Sequence, residues 1–275
     1  MKYPGQSALL HQINSGLPRA VDMFSRNSLL GTCAMNLSEN ATDIVVSVHN
    51  HYSYTRGMIE GIYRYTESPF HIYVVDNAST DETADLEKIY ARNITVVHNR
   101  RNTGWSAGIN QAIAMGKSPR IVVMNGGAEV SKKWLENIIA FMDTHPRIGA
   151  VGPLGSYPGD WQYIDRVREK AAPQIPALQT DDVHECNRIL QYHFHRVGIL
   201  IEGTLSFFCA ALKRRAVAEI GILKETLSFR EASRDYCLRL RKAGYVLGLA
   251  LDAYVFSHSG EAFTTVPDAS AVLLS

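Results

Sequence analysis

Short apolar runs and amphipathic stretches alternate along the chain. Four runs rich in β-branched residues fall at 44–48, 71–76, 94–99 and 121–125. Continuous runs of this kind are typical of strands that are buried on both faces, as in a parallel sheet. Helices are predicted between them, most clearly over 134–142, where five apolar residues share one helical face. The alternation predicts an α/β fold with a doubly wound, mostly parallel central sheet flanked by helices.

The flanking regions have a weaker pattern. Residues 1–42 lack a sustained period and are predicted to form an N-terminal extension with one short helix around 18–30. Residues 155–200 also lack a clear period, which predicts a long loop system or lid. Pattern returns further on, with an apolar run at 204–212, helices predicted at 214–220 and 232–243, and strands predicted at 245–251 and 253–258.

The amino-acid composition argues against several classes of function. The 275 residues are 46% apolar and carry 28 Lys and Arg against 27 Asp and Glu, a formal charge of +1. This balance argues against nucleic-acid binding, which needs a basic face. No apolar run approaches the roughly 18 residues of a membrane span, and the first residues lack a secretory pattern. Four separated cysteines, one of them Cys33, fit reduced thiols. We therefore expect a cytoplasmic chain, with peripheral membrane attachment left open.

Polar residues follow two of the predicted strands, where doubly wound sheets bind ligands. Asp76 ends the second strand, and a carboxylate there can accept from a base N–H or a ribose hydroxyl. The alternative is a turn-forming Asp, followed by a capping box of Ser79 and Glu82. Asn102 and Gly104 make a tight turn before a helix start that lets a diphosphate approach backbone N–H groups. The alternative for that loop is a simple turn.

Eight segments occur in an order that resembles a family 2 glycosyltransferase of the inverting GT-A type, close to its rhamnosyltransferase-like bacterial members. They are SVHNHY (47–52), VVDNASTDET (74–83), HNRRNTGWSAGINQAI (98–113), VVMNGGAEVSKKWLENII (122–139), IGAVGP (148–153), FFCAALKRRAVAEIG (207–221), DYCLRLRKAGY (235–245) and VFSHSG (255–260). The resemblance implies a GT-A domain over 43–260, divided into a nucleotide-binding half (43–153) and an acceptor-binding half (154–260), with a C-terminal tail at 261–275.

The resemblance also implies roles for individual residues. Asp76 would hold the pyrimidine base of a nucleotide-diphosphate sugar, and Asn50 would border the same pocket. Asn102, Gly104 and Asn110 would lie along the sugar-diphosphate. The remaining donor-binding positions implied by the match are Asn125, Gly126, Gly127, Arg234 and His258.

The chain departs from the family pattern in two motifs, the one that binds the metal ion and the one that supplies the catalytic base. The family reads N-D-D-x-E or N-P-D-x where this chain has Asn125-Gly126-Gly127-Ala128-Glu129, so its metal-binding acids are missing. Mg²⁺ or Mn²⁺ is thus left open as a cofactor, with Glu129 and His258 as candidate ligands.

The second departure lies before the predicted helix at 232–243. The family's E-D-x-D is replaced by Ala232-Ser233-Arg234-Asp235. Asp235 and the upstream Glu231 are the candidate catalytic acids. For Asp235, helix capping is the alternative. A metal-free enzyme would need fixed cations for the leaving diphosphate, and the candidates are Arg100, Arg101, Lys213, Arg214, Arg215, Arg234 and His258.

The expected function is transfer of a sugar, with inversion, from a nucleotide-diphosphate sugar (UDP or dTDP favoured). The expected acceptor is a glycan, lipid-linked glycan or small molecule, as in polysaccharide biosynthesis. The alternative is a catalytically inactive pseudoglycosyltransferase that serves as a binding or scaffolding protein. A nicotinamide-dependent oxidoreductase is disfavoured, because no G-x-G-x-x-G follows the first strand.

Overall fold

The computed structural model describes residues 40–90, 92–156 and 161–258. The predicted helix around 18–30, Cys33 and the predicted tail at 261–275 lie outside the described residues.

Strands and helices alternate through most of the described chain. The strands are β1 (Thr42–Val48), β2 (Phe70–Asp76), β3 (Ile94–His98), β4 (Arg120–Asn125), β5 (Ala128–Val130), β6 (Ile148–Gly155), β7 (Gly198–Ile201), β8 (Cys209–Lys213) and β9 (Val246–Ser257). The α-helices are α1 (Tyr52–Tyr65), α2 (Leu86–Ile89), α3 (Trp105–Met115), α4 (Trp134–Met142), α5 (Asp165–Ala171), α6 (Val183–His193), α7 (Arg214–Ile220) and α8 (Phe229–Lys242). Two short 3₁₀ helices cover Glu82–Asp85 and Pro176–Leu178.

The first part of the chain forms the parallel half of the sheet, in the order β3-β2-β1-β4. Val48 pairs with Asp76, Asp76 with His98, and Ser47 with Asn125. The carboxyl ends of these strands therefore lie at one edge of the sheet. The apolar residues of β1 and β4 are buried on both faces, which explains their continuous apolar runs.

The second half of the sheet contains the antiparallel pairs. β8 runs antiparallel to β4 and β6, β9 is parallel to β6, and β7 and β5 pair antiparallel with β9. The α/β fold with a central sheet flanked by helices is confirmed. The strands predicted at 245–251 and 253–258 are instead one strand, because the buried Asp252 continues it and accepts the backbone N–H of Arg196 at 2.7 Å.

Within the apolar run at 204–212, only the part from Cys209 onward forms a strand. Side chains from elsewhere bind the preceding backbone: Ser206 N–H donates to Gln162 Oε1 at 2.7 Å, and Phe207 N–H donates to Ser233 Oγ at 3.3 Å. These N–H groups are satisfied without a neighbouring strand.

The loop system predicted over 155–200 is wrong for about half of its length, since the segment contains α5, the 3₁₀ helix at Pro176–Leu178, α6 and the start of β7. Helix α6 packs on β9 and buries Cys186, Asn187, Ile189 and Leu190. A polar residue interrupts that face in the sequence. In the fold, Asn187 Nδ2 donates to Lys132 O at 3.0 Å and its Oδ1 accepts the N–H of Tyr254 at 3.3 Å. Among the described helices, none is long and apolar enough to cross a membrane.

Candidate functional site

The turns that follow β1 and β2 are hydrogen-bonded to each other at the carboxyl edge of the sheet. Asn50 adopts a left-handed conformation with φ 58°. Its backbone N–H donates to Ser79 Oγ at 2.7 Å, and its Oδ1 accepts the N–H of Thr80 at 2.8 Å. The Tyr52 N–H at the start of α1 donates to Asp81 Oδ2 at 3.0 Å. Asn50 therefore joins the turn after β1 to the turn after β2 at this edge.

Asp76 is turned into the protein and is only 2% exposed. Its Oδ1 accepts the N–H of Ser79 at 2.9 Å, and its Oδ2 lies 2.9 Å from His98 Nδ1. The other imidazole nitrogen, Nε2, lies 3.2 Å from Glu87 Oε2. The hydrogen bond to Asp76 raises the pKa of His98, and it outweighs the lowering effect of burial. Each carboxylate oxygen has a second lone pair, so a ligand N–H remains a possible further donor.

The capping box predicted from Ser79 and Glu82 does not form. Ser79 Oγ accepts from the Asn50 backbone, and Asp81 caps the 3₁₀ helix by accepting the N–H of Thr83 at 3.1 Å. The sequence reasoning assigned the capping role to the wrong residue of the turn, because Asp81 and Ser79 are both good caps.

Asn77 is a site residue that the sequence analysis missed. It is 2% exposed and joins three segments of the edge. Its Nδ2 donates to Ser47 Oγ at 2.9 Å, and its Oδ1 accepts from Asn99 Nδ2 at 2.8 Å and Thr103 Oγ1 at 3.0 Å. These partners lie 22 to 30 positions away in sequence, so only its place after a strand-ending Asp could have pointed to it.

Asn102 and Gly104 shape the entry to α3. Asn102 Oδ1 accepts the N–H of Gly104 at 2.9 Å, and Gly104 has φ 90°, a conformation that glycine tolerates well. The backbone N–H groups in the first turn of α3 have no partner within the helix. Trp105 Nε1 and Ser106 Oγ are buried, and neither has a hydrogen-bond partner among the described residues. This helix start is the part of the edge best suited to an anion.

Asn110 is engaged elsewhere. Its Nδ2 donates to Leu223 O at 2.9 Å and to Glu225 Oε1 at 3.0 Å, and its Oδ1 accepts the N–H of Leu223 at 2.9 Å. A contact between this amide and a sugar-diphosphate would require those bonds to break. The structure thus gives Asn110 the role of tying α3 to the segment between α7 and α8.

The turn after β4 is closely packed at Gly126. A Cβ there would lie 3.0 Å from Val48 Cγ1 and 3.4 Å from Thr55 Oγ1, so even a small side chain needs its neighbours to shift. Asn125 is 2% exposed, and its Nδ2 has no hydrogen-bond partner within the described ranges. Gly127 O accepts the backbone N–H of His258 at 2.9 Å. Close packing at Gly126 thus lies next to a buried Asn125 amide group that has no hydrogen-bond partner within the described ranges.

Glu129 and His258 form a pair beside that turn. Glu129 Oε2 lies 2.6 Å from His258 Nε2, and the side chains are 36% and 40% exposed. The ring of Tyr54 lies 5.5 Å from that of His258, between centroids. The pair borders a groove of about 270 Å³ between α1 and β5. In the described part of the chain, no group of three or more His, Cys, Asp or Glu residues is arranged to hold a metal ion.

The two candidate acids of α8 have different surroundings. Glu231 forms a capping box with Ser228: its Oε2 accepts the Ser228 N–H at 3.1 Å, and the hydroxyl lies 2.8 Å from the same oxygen. Hydrogen bonds from Ser228 lower the pKa of Glu231. Asp235 lies in the middle of α8, so its alternative role as a helix cap is wrong. It pairs with Lys224 at 2.6 Å and Arg239 at 2.7 Å.

These ion pairs determine the charge state of Asp235. Burial raises the pKa of this carboxyl, but the hydrogen bonds from Lys224 and Arg239 outweigh it and leave the pKa below its ordinary value. The family's other acidic positions hold Ala232 and Ser233, both buried, and Ser233 Oγ donates to Phe229 O at 2.8 Å. Asp235 is thus the remaining acid of the motif.

Three of the candidate cations lie at the amino edge of the sheet, opposite the carboxyl ends of the parallel strands. Because β8 runs antiparallel to β4, Lys213 pairs with Arg120 at the start of β4, whereas Cys209 pairs with Met124 near its end. Lys213, Arg214 and Arg215 therefore cannot neutralise a diphosphate at the carboxyl edge. Arg100 and Arg101 lie between β3 and α3, and Arg234 is exposed on α8.

Parallel strands, hydrogen-bonded turns at their carboxyl ends and a helix start beside those turns are typical of α/β domains that bind ligands at this edge. The family model described as Glycosyl transferase family 2 matches residues 43–221. The chain belongs to glycosyltransferase family 2.

Comparison with solved structures shows the same fold. The chain is similar to the mannosyltransferase PcManGT from Pyrobaculum calidifontis in complex with GDP-Man and Mn²⁺, with a TM-score of 0.59, 15% identity and coverage of 81% of this chain and 58% of that one. GalNAc-T7 with UDP, GalNAc and Mn²⁺ gives a TM-score of 0.59 at 13% identity, covering 79% of this chain and 44% of that one. TarS 1–349 of S. aureus with UDP gives 0.52 at 17% identity, covering 80% and 61%. These are GT-A glycosyltransferases, and the GT-A fold is confirmed.

A curated relative is more similar in sequence but much longer. The protein y4gI of Sinorhizobium fredii (strain NBRC 101917 / NGR234) is 25% identical over 218 residues, which cover 74% of this chain. The match spans 23% of that relative's length, and about half of each solved structure's chain is covered in the comparisons above.

Proposed function

We propose that this chain transfers a sugar from a nucleotide-diphosphate sugar, with UDP or dTDP favoured, to a hydroxyl of a glycan or other acceptor, with inversion. The main support for the proposal is the network of hydrogen bonds between the turns at the carboxyl ends of the parallel strands. These turns are hydrogen-bonded to each other through Asn50 and Asn77, and Asn77 also bonds Thr103 and Gly104 just before α3. A connected polar network of this kind holds the turns rigid, which supports a preorganised ligand site.

The diphosphate is the part of the donor that needs positive charge. Glu129 and His258 do not fit a dedicated ion site, because they provide one carboxylate and one imidazole that already bind each other. We assign charge stabilisation instead to fixed groups: the N–H groups at the start of α3, Arg100, Arg101 and Arg234, with His258 beside the Gly127 turn. Asp76 and Asn102 keep their proposed contacts with the base and the sugar-diphosphate.

Direct displacement also needs a base for the acceptor hydroxyl. We assign this role to Asp235, which matches the last acid of the family motif, whereas Glu231 lies one residue upstream of the motif and forms the capping box. Lys224 and Arg239 pair with both oxygens of Asp235, so the acceptor hydroxyl must replace one of these partners. In this scheme the hydroxyl oxygen attacks the anomeric carbon, its proton passes to the Asp235 carboxylate, and the nucleoside diphosphate leaves. Loss of such a base typically costs about 10²–10⁴-fold in rate.

The direct test is a donor panel of UDP-, dTDP- and GDP-sugars, assayed for nucleotide release with Mn²⁺ and with EDTA. We expect release with at least one donor, in both conditions, and a loss of about 10²-fold or more in Asp235→Asn. The matched control is Asp165→Asn, which removes another acid paired with an arginine on a helix, at 3.0 Å from Arg168. Equal rates for Asp235→Asn and the wild type would refute the assignment of the base.

A second candidate function is a pseudoglycosyltransferase that binds a nucleotide or a partner without catalysis. It is favoured by Ala232 and Ser233 at the family's acidic positions, with the Ser233 hydroxyl committed to the backbone of α8. This protein would bind UDP in calorimetry and release no nucleotide from any donor. Gly127→Asp then places a carboxylate at a position where the family pattern has a metal-binding acid. If Mn²⁺ tightens the binding of UDP to this variant, the rest of the donor site can still bind a nucleotide with its metal ion.

A further inference from the structure

A second pocket lies at the amino edge of the sheet, opposite the proposed donor cleft. It has a volume of about 560 Å³ and is lined by Pro119, Arg120, Asp143, Pro146, Lys213, Arg214 and Arg215. We call it the amino-edge pocket. It contains four of the chain's cations, and the antiparallel pairing of β4 with β8 brings them together. The volume is within the range typical of small-ligand sites.

Two of the four cations are matched by carboxylates. Arg214 Nη2 lies 2.7 Å from Asp43 Oδ2, a side chain that is 2% exposed. Arg120 Nη2 lies 2.6 Å from Asp143 Oδ2. These pairs fix the guanidinium groups in position, so the pocket wall is preorganised.

The other two cations have only neutral partners. Lys213 Nζ donates to His145 O at 2.8 Å, and Arg215 Nη2 donates to Pro146 O. Neither forms an ion pair with an acid among the residues that the structure describes. Carbonyl oxygens satisfy hydrogen bonds but do not neutralise charge, so the pocket keeps an excess of positive charge.

Lys213 is half-buried among like charges. Burial is the main cause that lowers the pKa of this ammonium to about 8, Arg215 and Arg120 contribute to the shift, and Asp143 opposes it. A half-buried ammonium beside two guanidinium groups is stabilised most by an anion that reaches all three.

We propose that the amino-edge pocket binds a phosphate-bearing anion between Lys213 and Arg215. The site is separate from the donor cleft and does not depend on the transferase activity. The phosphate could belong to a soluble molecule or to a lipid headgroup, since both present the same oxygens to these donors.

The first experiment titrates sodium pyrophosphate into the full chain by calorimetry. Because the donor cleft also suits a diphosphate, binding is measured in two variants. The pocket variant carries both Lys213→Gln and Arg215→Gln, and the cleft variant carries Asn125→Ala. We expect saturable binding that weakens about tenfold or more in the pocket variant, the equivalent of one charged hydrogen bond. Lys132→Gln, an exposed lysine elsewhere, should leave binding unchanged. Circular dichroism establishes that each variant is folded.

The second experiment distinguishes the sources of the phosphate. Wild type and pocket variant are sedimented with phosphatidylcholine vesicles and with vesicles that also contain phosphatidylglycerol. Sedimentation with the anionic vesicles alone, lost in the variant, identifies a lipid headgroup. Pyrophosphate binding without sedimentation identifies a soluble phosphate. Absence of both, or pyrophosphate binding that Asn125→Ala abolishes and the pocket variant keeps, overturns the proposal.

Discussion

Replacing Asp76 by asparagine separates its structural role from its proposed contact with the base. The substitution keeps the size and the oxygen that accepts the Ser79 N–H, and it removes the charge that faces His98 Nδ1 at 2.9 Å. A hydrogen bond to a charged group contributes about 1.5–3 kcal/mol to stability. Because His98 is 34% exposed, solvent screening reduces the expected loss to about 1 kcal/mol.

The loss should depend on pH in a defined direction. The pKa of His98 is raised in the folded state, so its pairing with Asp76 stabilises the fold fully below the unfolded value of about 6.5. That contribution is lost as the pH rises through the raised pKa. The difference between wild type and Asp76→Asn should therefore be larger at about pH 6 than at about pH 8.

Urea unfolding at both pH values measures this difference, and a double-mutant cycle with His98→Gln isolates the pair. We expect a coupling free energy of about 1 kcal/mol at about pH 6 that shrinks at about pH 8. Equal losses at both pH values, or no coupling, would refute the reasoning about His98. Calorimetry with UDP on the same variant tests the other role: an unchanged affinity would mean that Asp76 does not contact the base.

Three further predictions concern stability. Gly126→Ala should lower the free energy of unfolding by about 1 kcal/mol, because a methyl group crowds its turn. The control Gly57→Ala, where α1 has open space, should raise the free energy of unfolding by about 0.5–1 kcal/mol. An unchanged stability of Gly126→Ala would show that the turn adapts. Asp43→Ala should cost about 3–5 kcal/mol, because it leaves Arg214 half-buried and unpaired, and adding Arg214→Met should recover part of it in urea unfolding. Ser228→Ala should lower the melting temperature by about 2–4 °C, the equivalent of about 1 kcal/mol for a lost cap; no change would mean that the capping box contributes little.

The missing acids have different consequences at the two motifs. At Gly126, the neighbouring Val48 leaves little space for the family's side chain, so restoring an acid there disturbs the fold as well as the charge. At Ser233, the hydroxyl has taken a backbone partner within α8. Both positions are thus packed around the residues they now hold.

The sequence alone determined the elements whose signal is local. Strands β1 and β4 are buried on both faces, so each leaves an unbroken apolar run, and the predicted bounds of β1 to β4 agree with the structure to within two residues. The helix predicted at 214–220 has the predicted bounds. The family was also recognisable, because its ordered motifs are short and contiguous. Helix α6 was missed because Asn187 interrupts its apolar face.

The tertiary structure decided which side chains meet. Antiparallel pairing moved Lys213 to the edge opposite the cleft, and a segment 113 positions away took the amide of Asn110. Asp76 ends its strand as predicted, but the orientation of its side chain is set by His98 on the neighbouring strand. Such contacts join residues far apart in sequence, and a side chain's partners depend on strand order and direction, which local patterns do not contain.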